Sequence, residues 1–202
     1  LQYQRALFQR NVLLKQIQEG QAKRAILDVW DEQLHPLAAI LVRERQRNIG
    51  RLNEIAGRIH EKITAGLETF SAHYCIYTAS GTETVSDYHF WYEDELKKNR
   101  ERDIRRGTTE IGPHKDDIAF FINCRDGKSF ASQGQQRTAV LSLKLAEIEL
   151  MNESIGEYPI LLLDDVMSEL DEKRRLKLVE EINGKVQTSI TGTERLDRKS
   201  VG

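Results

Sequence analysis

Apolar side chains recur at steps of three and four through the first 70 residues: Leu34, Ala38, Leu41, then Leu52, Ile55, Ile59, Ile63, Leu67 and Phe70. That spacing is the period of one helix face. Arg45 and Ile49 fall in the same register, so the stripe is continuous apart from one cation. The stretch from Asp28 to Phe70 therefore predicts one long helix, about 60 Å at 1.5 Å per residue. Pro36 should start or kink it, because proline removes a backbone donor and crowds the preceding turn. Leu7 to Ile17 predicts a shorter helix before it, with Gly20 as the break. Two helices joined by a short turn make an antiparallel arm, which we place at 1–72. Half of an ordinary helical bundle would show the same period.

After residue 72 the pattern changes. Tyr74 to Thr78 is β-branched and aromatic, a predicted strand followed by a Ser80–Gly81 turn. Asp87 is placed to cap a helix running to Arg106, and Gly107 to stop it. Ile118 to Ile122 and Lys128 to Phe130 flank Asp126–Gly127, a dipeptide suited to a hairpin turn. In 136–152 Leu141, Leu143 and Leu145 alternate as in a strand, yet the segment is long and rich in helix formers. It predicts a buried helix, apolar on most sides. Ile160 to Leu163 follows Pro159 and ends in Asp164–Asp165, which predicts a fully buried parallel strand. Glu172 to Asn183 predicts a helix stopped by Gly184, and Val186 to Thr191 a last strand.

Composition narrows the class. Of 202 residues 39% are hydrophobic, 31% charged and only 7% aromatic, which favours helices over an all-β sandwich. The longest apolar run, Leu37 to Val42, is six residues, too short for a membrane span of about 20. No basic start followed by an apolar stretch and a cleavage site opens the chain, so a cytoplasmic protein is expected. Cys75 and Cys124 are 49 residues apart, which disfavours a zinc ribbon or a disulfide scaffold. The five His are scattered, which disfavours a compact local metal motif. The chain opens at Leu1 in mid-pattern, as a fragment would.

Charge adds one candidate. The net −2 divides into 11 Lys and Arg against 8 Asp and Glu over 1–70, and 19 against 24 over 71–202. Lys97, Lys98, Arg100, Arg102, Arg105 and Arg106 place six cations in ten positions, interrupted by Glu101 and Asp103. Such a run serves either as a nucleic-acid contact or as a solvated face with internal ion pairs. A second basic face gathers Arg43, Arg45, Arg47 and Arg51.

Three stretches bear on chemistry. Gly127–Lys128–Ser129 imitates the end of a phosphate-binding loop, but the glycine required five residues earlier is Ile122. Asp164 stands at the carboxyl end of an apolar strand, where open α/β sheets bind ligands. In P-loop nucleotide hydrolases such an Asp holds Mg²⁺, and a carboxylate after it, here Asp165, can orient the attacking water. Turn-forming acids at a strand end would look the same. Ser132 with Gln135 forms a capping box that opens the helix of 136–152. The same geometry leaves backbone N–H groups aimed at an anion, with Gly134 permitting close approach.

Taken together, Gly112–Pro113–His114–Lys115–Asp116–Asp117, the stretch from Phe130 through Ser132–Gln133–Gly134–Gln135 to Leu141, and Leu161 to Asp171 resemble a known family. They look like the C-terminal lobe of an ABC/SMC-type P-loop ATPase head, and within that class like the RecF family. The resemblance covers 107–194 most clearly and implies an α/β lobe at 73–202 carrying signature motif, Walker B and D-loop beside the antiparallel helical arm. It implies that Ser132, Gln133, Gly134 and Gln135 contact the γ-phosphate of ATP held by the opposite subunit. Asp164 would organise Mg²⁺, and Asp165 would polarise water where relatives commonly carry Glu, so slower hydrolysis is expected. Ser168 to Asp171 would cross the dimer interface, with Asp171 near nucleotide. Thr191 or Thr193 would occupy the position of a switch His. His114 to Asp117 is a family landmark to which no chemistry is assigned.

The resemblance further implies a weak DNA-dependent ATPase that forms an ATP-dependent homodimer. It would bind DNA at gaps or single-strand/double-strand junctions and act with RecR, and with RecO and RecA in the same pathway, in gap repair, with no membrane association. The family's Walker A loop precedes the arm and has no counterpart here, so this chain alone is expected to be inactive. The rival from another class is an SMC-type coiled-coil tether whose head serves mainly for dimerisation. The helical segment is long enough only for a short hairpin, which favours the first reading.

Overall fold

A computed structural model describes residues 2–78, 85–164 and 166–191. The expected turn at Ser80–Gly81, Asp165, Thr193 and the polar tail 195–202 lie outside the described residues. The chain forms two compact units, one of Leu1–Asn48 with Tyr74–Ile118, the other of Ile49–His73 with Ala119–Gly202.

In the first unit, α1 (Gln2–Gln18) is followed by a left-handed Gly20, a 3₁₀ turn and the start of α2 (Leu27–Ile63). The α2 helix holds Pro36 in its interior. Asp87 caps α3 (Tyr88–Arg106) as the sequence predicts, accepting from the His89 and Phe90 amides, and Gly107 ends it in the left-handed region. Among the described residues, two buried clusters help hold this unit together. One joins Tyr3, Leu34, Val42, Tyr92, Leu96 and Ile111. The other joins Leu13, Leu14, Ile17, Leu27 and Ile104. Between these apolar residues α1 buries a charge. Arg10 is fully buried and reaches Asp31 at 2.6 Å, Asp103 at 2.7 Å and the Thr109 hydroxyl at 2.8 Å.

The long helix stops seven residues before the expected end at Phe70. Ala65 and Gly66 take positive φ, the Thr64 hydroxyl binds the His60 carbonyl, and Phe70 opens β1 (Phe70–Cys75). The heptad-like stripe ran on because Phe70 is buried too, by a strand rather than by the helix. The strand expected at Tyr74–Thr78 accordingly lies earlier, with Phe70 and Ala72 turned inward.

The predicted hairpin is also displaced. β2 (Asp117–Ile122) pairs antiparallel with β3 (Arg125–Asp126), so the turn is Asn123–Cys124, with φ of 50° and 61°. Two successive positive φ values suit the twist of a tight hairpin. Asp126 is not the turn: its carboxylate accepts from the Ser129 amide at 2.7 Å and caps the short α4 (Gly127–Phe130).

In the second unit, α5 (Gln133–Ile155) buries Thr138, Leu141, Ser142, Leu145 and Ala146 but leaves Val140 and Met151 exposed. It is buried on one face, not on most sides. β4 (Leu161–Asp164) pairs parallel with β5 (Thr188–Thr191), in register Asp164↔Thr191. Leu161 and Leu163 point inward while Leu162 is 73% exposed, so the strand is half-buried where full burial was expected. Alternation of side chains across a two-stranded sheet accounts for this. α6 (Glu172–Ile182) ends just before a left-handed Gly184.

Candidate nucleotide site

The start of α5 carries the first half of the site. Ser132 adopts extended backbone at the N-cap, its hydroxyl accepts from the Gln135 amide at 3.3 Å, and the Gln135 side chain accepts from the Ser132 amide at 3.0 Å. This reciprocal box holds the first turn in place. The amides of Gln133 and Gly134 precede the first residues that can bond along the helix, so they face outward at its positive end. Ser132, Gln133 and Gly134 are exposed. A side chain at Gly134 would meet nothing within 4 Å, so its own fold does not demand glycine there. The open space at that turn is what an anion approaching the backbone needs.

The carboxyl ends of β4 and β5 carry the second half. Asp164 is exposed, and its Oδ1 accepts a hydrogen bond from the Thr191 hydroxyl on the adjacent strand. Of the two threonines read as switch candidates, Thr191 lies beside Asp164; Thr193, like Asp165, falls outside the described residues. Asp171 caps α6, accepting from the Arg174 amide at 3.0 Å. Its side chain is already engaged in starting a helix.

One cation that the sequence did not mark ties these elements together. The Arg174 guanidinium donates to the Gly134 carbonyl at 3.2 Å, the Thr138 hydroxyl at 2.5 Å and Glu68 at 2.8 Å, and lies 3.3 Å from Asp171. It therefore spans the first turn of α5, the first turn of α6 and the residues after α2. Behind it, Glu68 lies 3.3 Å from Nε2 of the fully buried His60, whose Nδ1 is 3.2 Å from the Ser142 hydroxyl. Burial holds the His60 imidazole below its ordinary value, against the pull of Glu68. Arg174 and Glu68 are 106 residues apart, so no local spacing announces their pairing. Next to α5 an open groove of about 510 Å³ is lined by Gln133, Arg137, Val140, Leu162, Val166 and Leu170, among others.

No family model matches the chain. The DNA replication and repair protein RecF of Bacillus velezensis is 47% identical over 195 residues, covering 95% of this chain and 52% of that protein. The RecF proteins of Bacillus subtilis and an Exiguobacterium species are 48% and 46% identical, with the same coverage. A solved structure of the recombination mediator protein RecF-ATP in the RecFOR pathway superposes with a TM-score of 0.82 at 32% identity, over 96% of this chain and 52% of that one. A second, RecF-ATPrS, gives 0.78 at 31%. Along 95% of its length this chain is similar to RecF proteins. It spans about half the length of the RecF proteins it matches.

In this RecF-like chain the basic run of α3 is largely paired within its own unit. Lys97 meets Glu93 at 2.6 Å, Lys98 meets Asp94 at 2.5 Å, and Arg100 meets Asp28 and Asp31 at 2.7 and 2.6 Å. Arg102 lies 3.8 Å from Glu110, which also binds Arg106. Arg105 is exposed. On the other basic face, Arg45 binds the Pro113 carbonyl and Tyr74, Arg47 pairs with Glu44, and Arg51 pairs with Glu54 and Glu153. Arg43 is 3.9 Å from Asp87.

The His114–Asp117 stretch is stitched into the first unit. His114 Nε2 donates to the Thr109 carbonyl, which leaves Nδ1 to accept from the Tyr3 hydroxyl at 2.8 Å. Asp116 accepts from the Tyr74 hydroxyl at 2.5 Å and the Tyr77 amide at 2.8 Å, and burial raises its carboxyl above the usual range. Gly112 sits at φ +147°, and a Cβ there would lie 2.5 Å from the Tyr3 hydroxyl, so a larger residue would be strained and would displace that hydroxyl.

Proposed function

We propose that the chain supplies the arm (1–72) and the signature-bearing lobe (73–202) of an ATP-dependent, DNA-binding recombination mediator. The whole protein works as an ATP-dependent homodimer in gap repair, with RecR and RecO as partners and RecA loading as the outcome. One observation carries this reading. A helix opened by Ser132 with its first amides exposed and a parallel strand ended by Asp164 occur in one unit of a chain 47% identical to a RecF protein.

The donor set suits Mg·ATP. Mg²⁺ takes oxygen ligands, one or two of them carboxylates, and keeps several waters. The Thr191 hydroxyl occupies Oδ1 of Asp164 and fixes the carboxylate's direction, leaving Oδ2 for the metal or its water. Asp164 would hold such an ion, which would supply charge neutralisation to the phosphates of ATP. Asp165 orients the attacking water. Ser132 holds the amides of Gln133 and Gly134 towards the γ-phosphate of the partner protomer, and Gln135 locks that turn. Arg174 positions both the signature turn and Asp171, so a phosphate seated at the first turn is felt at the start of α6. The basic faces of α3 and α2 provide the phosphate contacts to DNA at gaps and junctions.

The test is Asp164→Asn in the intact protein. DNA-dependent ATP hydrolysis should fall by about a hundredfold, since the metal contributes several kcal/mol of charge stabilisation. Circular dichroism should be unchanged, because the side chain is exposed. Wild-type turnover in the folded variant would contradict the assignment.

A further inference from the structure

The His residues are scattered along the sequence, yet the fold brings two of them to one place. A ring nitrogen of His35 on α2, a ring nitrogen of His89 and a carboxylate oxygen of Glu93, both on α3, lie within 4.8 Å of one another. His89 and Glu93 are four residues apart on a helix, so their side chains share one face. The His35 and His89 rings meet nearly perpendicular, with centroids 4.4 Å apart. All three residues belong to the first compact unit, whereas the candidate nucleotide site is built from residues of the second.

An edge-to-face ring pair beside a surface ion pair would explain part of this cluster. It does not explain His35. That residue is only 8% exposed, and its Nδ1 is buried with no hydrogen-bond partner among the described residues. Buried polar atoms are normally satisfied, and an exception asks for an ion or a water. His35 is followed by Pro36 within the helix and flanked by the buried Leu34 and Ala38, so its backbone is held by the core. Glu93 uses Oε1 for Lys97 at 2.6 Å, which leaves its other oxygen available.

We propose that His35, His89 and Glu93 form a binding site for a borderline divalent transition ion of the Zn²⁺ class. Two imidazoles and a carboxylate are a set that suits Zn²⁺, with a water completing four-coordination. In a tetrahedral shell with bonds of about 2.0–2.1 Å, ligand atoms lie about 3.3 Å apart. The cluster therefore needs to contract by about 1.5 Å, within reach of rotation of the half-buried His89 and Glu93 side chains. Occupied, the site joins α2 to α3, and its binding free energy adds to the stability of that unit.

The experiment uses the full 202-residue chain stripped of metal, with Zn²⁺ and Co²⁺ as probes. Zn²⁺ titrated in competition with a chromogenic chelator should bind at one equivalent and raise the thermal midpoint by several degrees. Co²⁺ should give the intense visible bands of a tetrahedral site without a thiolate charge-transfer band. His89→Ala and Glu93→Gln should each weaken Zn²⁺ by at least tenfold and remove the thermal gain, while His73→Ala should leave both unchanged. Absence of stoichiometric uptake, or uptake unaltered by His89→Ala and Glu93→Gln, overturns the proposal. So does a thiolate band in wild type, which needs no variant to fold and would move the metal to Cys75 or Cys124.

Discussion

Replacing Arg10 by Met would keep an unbranched, largely apolar stem and remove the charge that α1 buries in the first unit. Asp31 would lose one partner but keep Arg100 at 2.6 Å. Asp103 would fare worse, because it is fully buried and, among the described residues, would keep only the Glu110 amide at 3.0 Å as a side-chain partner. Breaking a buried pair from one side costs about 3–5 kcal/mol. The interactions that Asp31 retains place Arg10→Met near the lower end, about 3 kcal/mol. Burial already lifts the Asp103 carboxyl above its ordinary value of 3.8, against the pull of Arg10. Without Arg10 the lift grows. A carboxylate whose native value exceeds its unfolded one costs most when ionised, so the penalty should be full at high pH. It should shrink by about 1.36 kcal/mol per unit once pH falls below the new native value. Urea unfolding followed by tryptophan fluorescence reports this unit selectively, since the two Trp residues, Trp30 and Trp91, both lie in it. Adding Asp103→Asn should recover at least half the loss at neutral pH. A penalty below about 1 kcal/mol, or one that does not change with pH, would refute the reasoning.

Arg174→Met should destabilise the second unit to urea by about 1–3 kcal/mol, the cost of leaving Glu68 without its ion-pair partner. In the intact protein it should reduce kcat for ATP while barely altering nucleotide affinity, and Arg174→Lys should not restore it, because one ammonium cannot fork to Gly134, Thr138 and Glu68; equal losses in kcat and affinity would speak against a positioning role. For DNA, replacing Arg102, Arg105, Arg106 and Lys97 should weaken all sequences alike and reduce the log–log salt slope by about 0.9 for each phosphate no longer neutralised. An unchanged slope would leave the α3 run as a set of internal ion pairs and shift attention to Arg43 and Arg47.

What the sequence revealed and what it hid follows from how local each signal is. The Asp87 cap, the Gly107 stop and the Ser132–Gln135 box are complete within four or five residues, and each is in place. Periodicity located α2 but not its end, because Phe70 stays buried after the chain leaves the helix. Asp126–Gly127 carried a hairpin signature, yet Asn123 and Cys124 took the turn and left Asp126 to cap α4. Within the candidate site, Asp164 was readable as the polar end of an apolar run. Arg174 and Glu68 were not, since their pairing exists only once α6 lies against the start of α5. The same holds for Arg10, whose partners are 21 and 93 residues distant.

Ser132 is proposed to act on a nucleotide held by the other protomer, and mixing mutants tests that role directly. In the intact protein, Ser132→Arg places a bulky cation where the phosphate should approach the α5 terminus, but leaves that protomer's own pocket whole. A second variant carries a lesion only in its phosphate-binding loop. Each alone should hydrolyse no ATP. In a mixed dimer one protomer supplies the pocket and the other the signature turn, so DNA-dependent ATP hydrolysis should reappear and peak at equal proportions. A role in capping alone predicts a stability loss of about 1 kcal/mol for Ser132→Ala and no rescue. Inactive mixtures at every ratio, from folded proteins shown to form mixed dimers, would contradict the in-trans assignment of Ser132.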